Sequence, residues 1–157
     1  MPDTAAPARF KTVLEHARAE AELRGDRRIG TDHLLLALLH EQDEPPARAL
    51  GATLADGRAA LESMDRAALG SIGIHLEGPL TPPPVRGHRR HALNSAARAA
   101  IVAAKQEADR DRRRGSRIEP RHLLLALLAG RRPDPAADLL TALGLQPPTV
   151  RARLAGA

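Results

Sequence analysis

"IGTDHLLLALL" runs from Ile29 to Leu39, and "IEPRHLLLALL" runs from Ile118 to Leu128. The two stretches share an isoleucine, a histidine four residues later and the same apolar run; only Gly30-Thr31-Asp32 and Glu119-Pro120-Arg121 differ between them. A frame copied this closely within 157 residues marks an internal repeat, and the repeat decides how the rest of the chain is read. Three leucines in a row occupy more than one face of a helix, so each copy predicts a helix buried in the middle of its unit.

Outward from these copies, Ala47 falls against Ala136, and "ARALGATLA" (47–55) loosely matches "ADLLTALGL" (137–145). Upstream, Val13, Leu14, Ala17, Glu20 and Ala21 fall against Ala100, Ile101, Ala104, Glu107 and Ala108. A two-residue insertion in the arginine-rich loop Asp109–Arg117 accounts for the change in offset.

Each unit then reads as four helices. Phe10, Leu14, Ala17 and Ala21 recur at helical spacing, and Gly25 stops that helix. Thr31, a good N-cap type, opens the second helix, which runs to about Glu41. Pro45 or Pro46 suits the first turn of a third, and Asp56-Gly57 open a fourth through Leu61 and Met64. The counterparts are Asn94–Arg113, Pro120–Ala129, Asp134–Leu143 and Pro147–Leu154. The expected fold is all-α, a pseudo-twofold tandem repeat of two four-helix units forming one domain over 1–157. The first repeat spans 8–68 and the second 93–157, with a Pro/Arg-rich linker over 69–92 centred on "GPLTPPPVRGHRR" (78–90).

Composition narrows the function classes. Hydrophobic residues make up 43% of the chain but Phe10 is its one aromatic, so the core is leucine and alanine, which favours close helix packing, and no sheet is expected. The chain has no cysteine, which removes disulfides, thiolate zinc sites and a cysteine nucleophile. No apolar run approaches the roughly 20 residues that span a bilayer, and "MPDTAAPARF" does not read as an export signal; no membrane partner and a cytoplasmic location are expected. The formal charge of +5 is uneven, with 11 of the 24 Lys+Arg in residues 86–121. No aromatics interleave with these arginines for base stacking, so a solvated face is the simpler reading and nucleic acid is not the expected partner.

These residues, the paired I-x-x-x-H-L-L-L-A-L-L frame above all, resemble the N-terminal domain of the Clp unfoldases of the ClpA, ClpB and ClpC types. "RIGTDHLLLALL" is the most similar segment, and "RIEPRHLLLALL" and "LLTALGLQPPTVRARL" are similar to the second repeat. "AALGSIGIHLEG" (67–78), ahead of the Pro/Arg-rich stretch, resembles free-standing members. The unfoldases carry ATPase modules with a G-x-x-x-x-G-K-[ST] loop; this sequence contains no such string, so the expectation is a domain without ATPase. The resemblance implies a non-catalytic module that binds client proteins, adaptors or degradation signals beside a Clp protease. Two alternatives stand beside it: sequestration of a cyclic-peptide natural product in a groove between the repeats, and a basic nucleic-acid-binding or regulatory protein using the arginines.

The resemblance also names site residues. Family members of the ClpC type hold phosphoarginine with the acidic residue of I-G-T-E-H, once per repeat. Asp32 occupies that place in the first repeat beside Thr31; Arg121 occupies it in the second, with Glu119 two residues earlier. The family's threonine at the start of the first helix falls near Pro7, which has no hydroxyl. Thr31, Asp32, Glu119 and Arg121 are therefore the candidate partner-binding residues, at helix N-termini expected to be exposed. His33 and His122 are expected to be structural, each ring bonding the loop before its helix. His33 and His40 lie seven residues apart, about 10.5 Å along a helix, too far to share a metal, and His88 and His91 fall in the linker. Ser63, Ser71, Ser95 and Ser116 lack a nucleophile-elbow context, so no enzyme activity, cofactor or metal is expected.

Overall fold

The computed structural model describes residues 9–80, 91–111 and 117–157. Pro7, His88, Ser116 and the arginines at 86, 89, 90 and 112–114 lie outside the described residues. The first unit contains α1 (Phe10–Arg24), α2 (Thr31–Leu38), α3 (Pro45–Leu50) and α4 (Leu54–Ser71). The second contains α5 (Ser95–Arg110), α6 (Pro120–Leu128), α7 (Pro135–Ala142) and α8 (Pro147–Ala155).

Local chemistry sets the helix ends. Gly25 closes α1 in the left-handed conformation at φ 73°, where its N–H reaches back to the last turn. Proline occupies the first turn of α3, α6, α7 and α8, where a missing N–H leaves no bond unmade. The fourth helix starts before the expected Asp56. Thr53 caps it, accepting the Asp56 N–H (3.1 Å) while the Asp56 carboxylate accepts the Thr53 N–H (3.0 Å). It also continues to Ser71, so the non-helical stretch after it begins at Ile72.

The units are interlocked. α1 packs on α2 and α5 on α6, but the third helix of each unit lies against the second helix of the other, α3 on α6 and α7 on α2. The exchange repeats with α3 on α8 and α4 on α7, while α2 and α6 touch each other. α2 thus meets α1, α4, α5, α6 and α7, which is why an unbroken leucine run suits it: Leu34 through Leu39 are all buried. One apolar core passes through both units, with Ala17 and Ala104, Ala21 and Ala108, and Ala47 and Ala136 buried at matching repeat positions.

One expectation fails. A sheet exists, though a minimal one: Arg28–Ile29 (β1) pairs in parallel with Ala92–Leu93 (β2), and the Asn94 N–H continues the ladder to the Ile29 carbonyl at 2.9 Å. Two-residue strands carry no period-two pattern to read in the sequence. They form because the extended chain entering α2 and the chain entering α5 pass side by side and satisfy each other's backbone groups.

Candidate interaction site

The repeated histidines organise the helix starts. Nδ1 of His33 accepts the Gly30 N–H (2.8 Å), and Nε2 lies 2.7 Å from a carboxylate oxygen of Asp26. Because Nδ1 accepts, the ring proton sits on Nε2 and is donated to Asp26. His122 repeats the geometry, Nδ1 accepting the Glu119 N–H (2.9 Å) with Nε2 3.3 Å from Asp111. Both ring nitrogens of each histidine are spent internally and both rings are buried, so neither is placed to carry a proton for a bound substrate.

The two acids are not repeat equivalents. Asp26 follows the end of α1, whereas Asp111 is itself the C-cap residue of α5, and they stand seven and eleven residues before their histidines. Sequence alignment of the repeats therefore could not pair them. Asp26 also accepts from Arg24 (3.1 Å), whose other arm reaches Asp65 on α4 (3.0 Å). Burial pushes the Asp26 carboxyl up, but the bonds from His33 and Arg24 outweigh it and hold it below the usual value.

The four candidate contact residues prove unequal. Thr31, expected at an exposed helix N-terminus, is 3% exposed. Its hydroxyl donates to Asp134 (2.9 Å) and accepts the Ala136 N–H (3.2 Å), tying α2 to the start of α7 in the other unit. This correction follows from the interlock: the packing of α7 on α2 covers that turn. Asp32 keeps a partly exposed carboxylate (15%) close to His33 and within the field of Arg24. Arg121 pairs with Asp111 at 3.1 Å, and Glu119 is half-buried as the N-cap residue of α6.

A larger feature lies on the first unit. Glu20, Leu23 and Arg24 of α1, Arg58, Glu62 and Asp65 of α4, and the segment Leu76–Leu80 enclose an open cleft of about 730 Å³. Glu20, buried in α1, receives both arms of Arg58 (2.6 and 3.1 Å) and lies 2.7 Å from Nε2 of His40. Burial raises its pKa, and Arg58 and His40 together bring it below the ordinary value. The wall at 76–80 is clamped to α4 by Arg66. Its guanidinium donates to the carbonyls of Leu76 (2.7 Å) and Gly78 and to Glu62 (3.0 Å), while the Leu80 N–H adds a bond to Glu62 (3.3 Å). Composition could not reveal this cleft, because α1, α4 and the 76–80 segment come together from separate stretches of the chain. The groove expected between the repeats is not where this cleft lies: the contacts of α2 and α3 with α6, α7 and α8 bring buried leucines and alanines together.

Residues 2–53 match the family model of the Clp repeat (R) N-terminal domain. The whole fold has solved counterparts. The N-terminal domain of the caseinolytic protease associated chaperone ClpD from Arabidopsis thaliana superposes with a TM-score of 0.69 at 18% identity, covering 99% of this chain and 96% of that one. The chain has the Clp N-domain fold. The Hsp104 N-terminal domain from Candida albicans is also similar, with a TM-score of 0.58 at 17% identity over 94% of this chain and 87% of that one. Among curated proteins none matches the sequence. These likenesses show the fold; residue roles rest on the chain's own geometry.

No helix among the described residues is long and apolar enough to cross a membrane. Of the basic residues in 86–121 that are described, Arg98, Lys105, Arg110 and Arg117 are exposed, Arg121 is half-buried, and Arg110 pairs with Glu107 on its own helix.

Proposed function

We propose that this protein is a non-catalytic protein-interaction module that binds client proteins, adaptors or degradation signals in connection with a Clp protease. The observation that carries the reading is the full-length Clp N-domain fold, both interlocked repeats included. The internally spent nitrogens of His33 and His122 agree with it, since the histidines that the sequence repeats serve the frame rather than a reaction. Within this reading Asp32 is the acidic contact on the first repeat, with its partly exposed carboxylate at the start of α2. Arg121, drawn to Asp111, leaves the second repeat without an acidic equivalent, so a guanidinium-bearing signal engages the first repeat alone.

The test is a purified Clp unfoldase and peptidase degrading a fluorescent client with this protein added in trans, alongside direct binding to unfoldase, adaptor and client by biolayer interferometry. A concentration-dependent change in degradation rate together with measurable binding supports the proposal. An unchanged rate with no binding to any of the three components overturns it.

A further inference from the structure

We propose that the cleft between α1, α4 and the 76–80 segment is a docking site for an extended peptide that carries an aliphatic side chain flanked by arginine or lysine. The proposal rests on the protein-binding reading and names a partner chemistry and a surface for it. Three observations converge on the cleft. Its volume of about 730 Å³ lies within the roughly 300–1,000 Å³ of ligand clefts, room for a few side chains of a peptide. Leu23 on one wall and Leu76 on the other remain 57% and 51% exposed, whereas every other leucine of the chain is buried or half-buried. Leu76 also borders a second, smaller cavity with Leu69 and Ile74, so the apolar surface continues past the rim along the same segment.

Charge gives the occupant its sign. The cleft is lined by four carboxylates, Glu20, Glu62, Asp65 and Glu77, against Arg24 and Arg58, with Arg66 paired to Glu62, which leaves one negative charge in excess although the chain as a whole carries +5. Asp65 and Glu62 keep 47% and 40% of their side chains exposed even while ion-paired, and Glu77 is exposed with no ion pair among the described residues. An acidic rim on a basic protein selects against acidic partners and steers basic ones. The wall is built to persist: Arg66 holds the Leu76 and Gly78 carbonyls, so the segment presents Leu76 and Glu77 from a fixed position.

The experiment uses the full chain and two fluorescein-labelled synthetic peptides, one alternating Arg and Leu, the other with Glu replacing every Arg, read by fluorescence anisotropy. Leu76→Asp and Glu77→Arg alter exposed side chains, and circular dichroism melts confirm that each variant folds. Val102→Asp, on exposed α5 surface of the other unit, is the control. The Arg/Leu peptide is expected to bind the native chain, to weaken about tenfold with Leu76→Asp and with Glu77→Arg, and to be indifferent to Val102→Asp. Added salt should shrink the Glu77→Arg effect and leave the Leu76→Asp effect. No binding of the Arg/Leu peptide, equal binding of the Glu/Leu peptide, or equal affinities across the three variants each overturn the cleft assignment. Capture of Clp components by the same variants separates the two ideas: if capture persists while the peptide result fails, the cleft is wrong and the interaction module stands.

Discussion

The hydroxyl of Thr31 and the carboxylate of Asp134, 103 residues apart in the chain, meet at 2.9 Å between the two repeats. Thr31 opens the buried leucine helix of the first unit; Asp134 caps α7 of the second, its other oxygen accepting the Ala137 N–H at 3.2 Å. One hydrogen bond thus couples a helix start in each half.

Removing that bond should destabilise the whole domain rather than one repeat. Thr31→Val keeps the volume but strands the Ala136 N–H and one Asp134 oxygen, and is expected to cost about 1–3 kcal/mol. Asp134→Ala also removes the α7 cap, worth about 1 kcal/mol more. Chemical denaturation of the single and double variants should show coupling of at least ~0.5 kcal/mol between the positions, and additive losses would show that the bond contributes nothing.

Gly57 sits inside α4, where alanine normally favours a helix by about 1 kcal/mol. A Cβ there would approach Leu36 Cδ2 at 2.7 Å and Leu39 Cδ1 at 2.9 Å. Both leucines are buried and cannot swing aside cheaply, so overpacking of about 1–3 kcal/mol outweighs the propensity gain. Gly57→Ala is expected to lower the melting temperature; a rise would mean that the α2–α4 contact is looser than it stands here.

Acid should weaken the fold through Glu20 and Asp26. Both carboxyls titrate below their ordinary values in the folded chain, so their stabilisation is complete above about 4.5 and 3.8 and is lost as pH falls through the lower folded values. Glu20→Ala is expected to cost about 1–3 kcal/mol at neutral pH, less than a fully buried pair would, because Arg58 keeps 45% of its side chain in solvent. Glu20→Gln should differ from the native chain at neutral pH and converge with it in acid, where Glu20 itself is neutral. A gap that stays constant with pH would remove the charge from the account.

The histidine geometry predicts tautomers. At neutral pH the ring nitrogens of His33 and His122 should both report the Nε2–H form in long-range ¹H–¹⁵N spectra, since each Nδ1 accepts a backbone N–H. Asp26→Asn should perturb His33 and leave His122 unchanged, because Asp111 serves the second ring.

Much of the fold was legible because helices announce themselves over short windows. Proline at a first turn, the stop at Gly25 and the LLLALL run all act within a few residues, and the described helices fall within a few residues of their expected limits except α4, which runs seven residues past Met64 to Ser71. The site was far less legible. Thr31 reads as an exposed N-cap until α7 is laid over it, and nothing in the order of residues places Glu20, Arg58 and Leu76 around one cleft. Asp26 and Asp111 were hidden for a subtler reason: equivalent histidines recruit acids from non-equivalent positions, because the loops before α2 and α6 differ in length.

By itself the sequence determined the duplication, the all-helical class and the burial of the two leucine helices. Each of these follows from local propensity and from apolar periodicity, which act along the chain. Only the tertiary structure decided that the units exchange their third helices, that a small parallel ladder joins them, and that an acidic cleft opens on the first unit. Those features depend on which surfaces meet, and packing brings together residues that share no pattern along the chain.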